Sequence, residues 1–547
     1  MVWVDGQIHM KTRWKILLIA VAFLVLLAGS LLLTLCVQPA NKLEAYKKLL
    51  CDRGEKLSLS EVPPPPVPDA SNCVDAVQAA FALLGSRTEH VTYAMLGVAP
   101  GRAMVGWQQP VAHNYVFTSP WANFTNSWDE VAVEVAQDDP ALEQLRTVLE
   151  KPQLDFHLDY ERGISPSRGF QAAWIRTPQK LSAATMNDLH AQNTAGAVTN
   201  ILTLLALVRA DENNYLLGAH LQRITMLDIA VAPTWELLQS TNVTDAQLAA
   251  LQQGWEQMDL FHDAENAFTF ERAWLSFRVQ RTREAPYGTT FSFHSSGSPS
   301  MWSGIAAWTA GLRNGAGEMM WRSSWSFPME LTALQRGQIV LETLRAMRTN
   351  QIGGCKTNFD GMKKRLSKVP DDFSGAAFFR GLKIPDLRRN YYDNFYASPV
   401  AQTIRMEAAR RVVITAIALK RFELKRMNWR ENLSRLAPDL LSTTPAEAQD
   451  GESLPKSLSE LVPEFLSAVP VDAYDGKPLR YHPNGDGTFL LYCIGEDGVD
   501  DGGDAKIPGT SSPSAYYRWL DLHVRDWVWP QPGTEAEIHH FFEHPPN

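Results

Sequence analysis

The sequence predicts a mainly α-helical protein in three parts: one N-terminal transmembrane helix, an α-helical extracytoplasmic domain, and a small α+β domain at the C-terminus. Three observations carry that expectation. Residues 16–37 form an uncharged apolar run, residues 71–284 repeat apolar positions at helical spacing, and the chain beyond residue 466 changes to short strand-like segments with acidic turns.

At roughly 150 residues per domain, 547 residues suggest three or four units. Hydrophobic residues at 45% and charged residues at 20% exclude wholesale disorder. The net charge of −9 argues against a dedicated nucleic-acid binder, which needs a basic excess. Five cysteines without paired CxxC spacing exclude a disulfide scaffold and a zinc ribbon.

Ile16–Val37 holds 22 residues, uncharged, with Ser30 and Thr34 as polar interruptions. At 1.5 Å rise per residue it covers a bilayer core of about 30 Å. Lys11, Arg13, Trp14 and Lys15 form a basic and aromatic flank. A cleaved signal peptide would have an apolar region of about 7–15 residues and a small-residue cleavage site, so this segment reads as an uncleaved signal-anchor. Lys42, Lys47, Lys48, Arg53 and Lys56 follow the span, so charge counting alone does not orient it. Long domains translocate largely regardless of such charges. Residues 1–15 are therefore assigned to a cytoplasmic tail, and the bulk of the chain to the extracytoplasmic side of a bacterial inner membrane.

Residues 38–68 read as a juxtamembrane helix and a linker. Pro63-Pro64-Pro65-Pro66-Val67-Pro68 is a stiff polyproline spacer. Cys51 and Cys73 straddle it and would bridge in an oxidising compartment, the competing reading being free thiols.

Residues 69–395 are expected to form the α-rich domain. Ile201, Leu204, Leu205 and Val208 follow i, i+3, i+4, i+7, and Leu217, Leu221, Ile224, Leu227 and Val231 continue the pattern until Pro233 ends or kinks that helix. Thr244 and Gln247 form a capping box for a helix ending near Met258. Phe270, Trp274 and Phe277 mark a face of another. Antiparallel helices fit this pattern best. Two stretches break it: an aromatic one (Tyr93, Trp107, Tyr115, Phe117, Trp121, Phe124, Trp128) and a Gly/Ser-rich one over 285–325. Aromatics on loops either stack on sugars or close the ends of a bundle.

The chemical motifs are mostly negative. HExxH, GxSxG and GxGxxG are absent, and Cys355 spoils the phosphate-loop likeness of Gly353–Thr357. His294 among serines lacks an orienting acid, His539, His540, Glu543 and His544 sit near the chain end, and His220 reads as a core histidine. No catalytic residue is nominated. The helix over 405–426 carries seven basic and two acidic residues, either a solvated face or a site for anionic lipid or an acidic partner.

One constellation stands out. Gly495–Asp504 holds Glu496, Asp497, Asp500, Asp501 and Asp504 with four glycines and no basic residue. Clustered carboxylates repel unless a cation neutralises them, and Ca²⁺ takes six to eight hard oxygens in flexible geometry. The alternative is a solvated acidic turn.

Residues 396–530 read as a domain with a helix from Pro399 to Lys425, striped by Ile404, Ala408, Val412, Ala416, Leu419 and Phe422. Short elements follow near 433–441 and 458–466, and residues 531–547 form a tail. Asp472-Ala473-Tyr474-Asp475-Gly476-Lys477-Pro478-Leu479-Arg480-Tyr481, Phe489–Gly495 and the acidic loop together resemble the C-terminal half of the major pseudopilin of type II secretion. The resemblance implies a long helix, a small sheet and a Ca²⁺ loop with Asp497, Asp500, Asp501 and Asp504 as ligands. The whole chain is similar to an uncharacterised family of large exported bacterial proteins that pair an anchor, a proline linker and a pseudopilin-like end. The expectation is a non-enzymatic, single-span envelope protein of the periplasm with a calcium-stabilised C-terminal module, contacting envelope or secretion components. A second reading is a membrane-anchored enzyme or glycan-binding protein that uses the aromatic and Gly/Ser-rich loops.

Overall fold

The computed structural model describes residues 14–15, 17–27, 29–30, 34, 37–84, 91–92, 94–115, 124–150, 153–156, 168–284, 326–349, 354–369, 389–436, 454–505 and 525–544. Mainly α is correct. Among the described residues lie twelve long helices: α1 (Gln38–Asp52), α2 (Val74–Leu83), α3 (Trp128–Val148), α4 (Arg168–His190), α5 (Thr194–Ala210), α6 (Leu217–Leu238), α7 (Asp245–Glu256), α8 (Leu260–Glu284), α9 (Ser326–Thr349), α10 (Cys355–Leu366), α11 (Arg389–Leu436) and α12 (Glu535–Glu543).

Among the described residues three small sheets accompany them. The first joins β1 (Val91–Thr92), β4 (Ala112–Tyr115) and β5 (Phe124–Asn126), all antiparallel. In the second, β2 (Leu96–Ala99) and β3 (Arg102–Met104) form a hairpin, and β9 (Gln531–Pro532) adds in parallel to β3. The third orders β6 (Arg480–Pro483), β7 (Phe489–Ile494) and β8 (Asp526–Val528) antiparallel.

The chain divides into two compact units. The first takes the described residues of 1–63, 269–340 and 364–396; the second takes those of 64–268, 341–363 and 397–547. The second thus draws on the expected α-rich domain, the expected C-terminal module and the expected tail.

In the first unit α1 is a packed element. Leu43 and Leu50 are fully buried, and Leu59 and Val62 after it are buried too. Lys47 Nζ lies 2.5 Å from Glu330 Oε1, which also accepts from Ser276 at 2.7 Å, while Arg283 pairs with the other Glu330 oxygen. Glu55 closes a second buried group: Arg272 donates to it at 3.0 Å, Gln338 donates to it at 3.0 Å, and Arg272 reaches Gln338 as well. Buried charges persist only when paired and hydrogen-bonded, and each of these is. In the proline run, Val67 N–H donates to Asp155 at 3.3 Å within the second unit.

In the second unit α4, α5 and α6 pack on one another, α2 and α4 on α3, and α7 on α5. The expected stripe residues Ile201, Leu204, Leu205 and Val208 are all buried. The Thr244–Gln247 capping box forms as read. Pro233 does not end α6, which runs on to Leu238. Proline removes one N–H and frees the carbonyl four residues back, but the helix beyond it is retained by tertiary partners: Trp235 Nε1 donates to Pro530 O at 2.8 Å, and Glu236 is fully buried among backbone donors. The expected helix at 399–425 is longer at both ends, 48 residues with Pro399 inside. It is also buried well beyond one stripe, since Ala409, Val413 and Ile417 are as inaccessible as Val412 and Leu419. Residues 437–453 lie outside the described residues, and Leu458–Leu461 forms a 3₁₀ turn. The expected tail is instead β9 followed by α12, whose Phe541 packs on Leu96, Val98 and Met104.

Among the described residues no helix is long and apolar enough to cross a membrane. Residues 16, 28, 31–33 and 35–36 of the expected span fall outside them. Those described between Leu17 and Leu27 are helical, and Leu17, Leu18, Ile19, Val21, Phe23, Leu24, Val25, Leu26 and Leu27 are 49–72% exposed.

Candidate functional site

The acidic loop leaves the end of β7 and returns at β8. The register places Arg480 opposite Tyr492 and Ile494 opposite Asp526, so the sheet fixes the groups beneath the loop. Asp497 accepts from Val499 N–H at 3.0 Å, a local turn of the kind aspartate favours. Asp500 accepts from the Tyr492 hydroxyl at 2.9 Å, from Gly502 N–H at 3.2 Å and from Arg480 Nε at 3.0 Å. Burial opposes its charge, but Tyr492 and Arg480 outweigh that and hold the Asp500 carboxyl below its ordinary value. Tyr492 is pushed up to about 12, by burial first and then by its hydrogen bond to Asp500. Asp504 pairs with Arg525 at 3.2 Å. Asp501 stands exposed at the turn.

The repulsion read from the sequence is thus relieved in part by arginines outside the ten residues. Arg480 is the larger contributor. Its Nη1 donates to Asp472 at 2.6 Å, its Nη2 to Asp475 at 2.7 Å and its Nε to Asp500. Asp472 is fully buried and also accepts from Tyr474 N–H and Ile494 N–H, each at 2.8 Å. Burial nevertheless raises its carboxyl to about 6.

Asp526, which sequence reasoning missed, lies under the same loop. It is fully buried; Oδ2 accepts from Gly503 N–H at 2.7 Å, and among the described residues no partner meets Oδ1 within hydrogen-bond distance, the Asp501 N–H being a further donor that favours its charge. Burial, then the neighbouring Asp500 and Asp501 charges, raise its carboxyl to about 6. A buried carboxylate oxygen left unpaired beside an acidic loop is a hard-oxygen donor of the type Ca²⁺ takes. Even so, among the described residues no three His, Cys, Asp or Glu side chains converge as a metal site, and Asp500 and Asp504 are engaged by arginines. The donor chemistry fits a hard cation; the arrangement seen is an arginine-braced turn.

The other sequence candidates resolve as follows. Gly354 (φ 70°) begins a docking contact: Cys355 N–H and Lys356 N–H donate to Ala473 O and Tyr474 O at 2.8 and 3.0 Å, and Cys355 is buried. Cys51, Cys73, Cys355 and Cys493 are free thiols. His220 is fully buried with Nε2 2.9 Å from the Thr403 hydroxyl, and burial lowers it to about 3, so it is a neutral core residue. His539 pairs with Glu543 at 3.1 Å on α12, and His540 lies over His544. The basic groups of α11 are largely committed within the protein: Arg410 and Arg411 clamp Glu407, Arg421 pairs with Asp245 at 2.8 Å, and Lys425 pairs with Glu464. Trp107 and Trp128 are buried and donate to Glu236 O and Gln109 O, so they close the bundle rather than present faces to a sugar. Tyr93, Phe117, Trp121, His294 and the Gly/Ser-rich stretch lie outside the described residues. No family model, curated protein or solved structure matches this chain.

Proposed function

We propose that this chain is a non-enzymatic, single-span envelope protein of a bacterial inner membrane, with its bulk in the periplasm and a pseudopilin-like C-terminal module that contacts envelope or secretion components. The observation that carries the anchor is the unbroken exposure of apolar side chains between Leu17 and Leu27. Leaving nine such side chains about half exposed to water costs on the order of 10 kcal/mol, which a bilayer removes. The long helix α11, the three-stranded β6–β7–β8 sheet and the loop above it support the pseudopilin-like part, since these are the elements the resemblance implies. Ca²⁺ enters the proposal through Asp526 Oδ1 and the loop carboxylates Asp497, Asp500, Asp501 and Asp504.

Two measurements test the reading. The full chain should stay in the membrane fraction after an alkaline wash, with a C-terminal tag open to protease only from the periplasmic face. Release by the wash, or protection of the tag, overturns the anchor or its orientation. Thermal melts of the detergent-solubilised chain in EDTA, Ca²⁺ and Mg²⁺ test the cation: a rise of several degrees with Ca²⁺ alone, lost in Asp526→Asn, supports it. An unchanged melt reduces the loop to an arginine-braced turn.

A further inference from the structure

The end of α6 holds two segments of chain that are far apart in sequence, and one buried carboxyl sits at that junction. Glu236 is fully buried in the last turn of the helix. Its Oε1 accepts from Met95 N–H at 2.7 Å, Gly106 N–H is shared between Oε1 and Oε2 at 3.0 and 3.1 Å, and its backbone carbonyl accepts from Trp107 Nε1 at 3.2 Å. Met95 immediately precedes β2 and Gly106 follows β3, so the carboxyl closes the base of the hairpin. Met95 adopts φ 52°, a left-handed conformation unusual for a side chain of its size, and its N–H is thereby presented to Glu236. The adjacent Trp235 donates to Pro530 O, and Gln531 and Gly533 N–H then donate to Gly101 O and Ala103 O of the hairpin. α12 follows and packs on the same hairpin.

Among the described residues the charges around this junction leave Glu236 without a counter-ion. Arg102 of β3 points to Pro532 O, His190 of α4 meets Trp107 O through Nδ1, and His113 of β4 stacks on Phe542 of α12. No charged side chain among the described residues acts on the carboxyl; its partners are main-chain N–H groups. Those donors favour the anion, while burial and the negative end of the helix dipole disfavour it. We propose that Glu236 is a proton-operated latch: its neutral carboxyl closes the hairpin base on α6 and so retains residues 530–543, and loss of the proton loosens both segments together. This inference is independent of the membrane and calcium readings.

Burial dominates and lifts the carboxyl from 4.5 to about 8. A group raised in the closed state stabilises that state in acid, and the stabilisation is lost as pH rises through the interval between the two values. Opening should therefore increase about tenfold per pH unit up to pH 8 and level off above it. His113 works in the opposite sense and lower, because burial depresses it and its protonation loosens the same segment as pH falls. Amide hydrogen exchange on the full chain in detergent, corrected for the intrinsic rate, reads the latch between pH 6.5 and 8.5. Residues 94–107 and 530–543 should open about tenfold per unit and then plateau, while α7 stays constant. Glu236→Gln, which keeps the acceptor and cannot ionise, should abolish the slope. Flat exchange in the wild type, or the same slope in the variant, overturns the latch. If Glu236→Gln does not fold, the wild-type series decides: a slope confined to the two segments with a plateau near pH 8 supports it, and any other profile refutes it.

Discussion

Replacing Arg480 by methionine removes a guanidinium that touches three carboxylates at once while keeping much of its aliphatic volume. The three ion pairs it breaks differ in weight. Asp472 is fully buried and 2.6 Å away, the Asp475 side chain is 18% exposed at 2.7 Å, and that of Asp500 is 46% exposed at 3.0 Å. Stripping the partner from a buried charge costs about 3–5 kcal/mol, whereas a half-exposed pair contributes about 0.5 kcal/mol. Asp472 keeps the N–H groups of Tyr474 and Ile494, which places the expected loss near the lower bound, about 3 kcal/mol at pH 7.5. Burial already raises Asp472 to about 6 in the folded protein, so its ionisation costs stability as pH rises through that value. At pH 5 the folded carboxyl is mostly protonated, and the loss in the variant should fall to about half. Amide exchange across β6, β7 and β8 reads this locally: roughly 150-fold faster at pH 7.5 and much less at pH 5. Acceleration below tenfold at pH 7.5, or equal effects at the two pH values, would refute the view of Arg480 as the brace of this loop. The same variant bears on the cation, since freeing Asp500 should enlarge any Ca²⁺-induced rise in melting temperature.

Two further outcomes follow from the packing. Glu407 is buried; burial acts to raise its carboxyl, but Arg410 and Arg411 outweigh it and hold it at about 2. Its depressed value gives stability present above its ordinary 4.5 and lost as pH falls toward 2, so acid unfolding of the wild type should be steep there and flatter in Glu407→Gln. The variant should lose on the order of 3 kcal/mol at pH 7, measured by exchange in α11. Gly354→Ala would place a Cβ 2.2 Å from Tyr474 O at φ 70°, so α10 must lift from the 473–475 turn. Destabilisation of at least about 2 kcal/mol, with Cys355 becoming reactive to a thiol reagent, is expected; an unreactive thiol would show that the contact yields elsewhere.

Local chemistry was readable where it depends on neighbours in sequence. The Thr244–Gln247 box, the buried stripe of α5 and the acidic turn follow from spacing of three or four residues and from glycine next to aspartate. Two differences from the local reading have a common origin. Pro233 ends a helix when only local hydrogen bonds count, and residues 531–547 look like a tail when only their own burial counts; the Trp235–Pro530 bond, 295 residues apart in sequence, works against both. The site shows the same division. Asp497, Asp500, Asp501 and Asp504 announce themselves as a charge cluster, but Arg480, Arg525 and the unpaired oxygen of Asp526 meet them only because antiparallel pairing lays β6 and β8 beside β7.

The helical class, the apolar run at the N-terminus and the location of the acidic loop follow from the order of residues alone, because periodicity, hydropathy and turn chemistry act over a few residues. Folding in three dimensions was needed to establish which charges are spent on one another, that α1 is welded into a helical unit through Glu330 and Glu55, and that Glu236 is buried with no cation of the described residues beside it. Desolvation and pairing depend on what surrounds a group in space, and folding supplies those neighbours from anywhere in the chain.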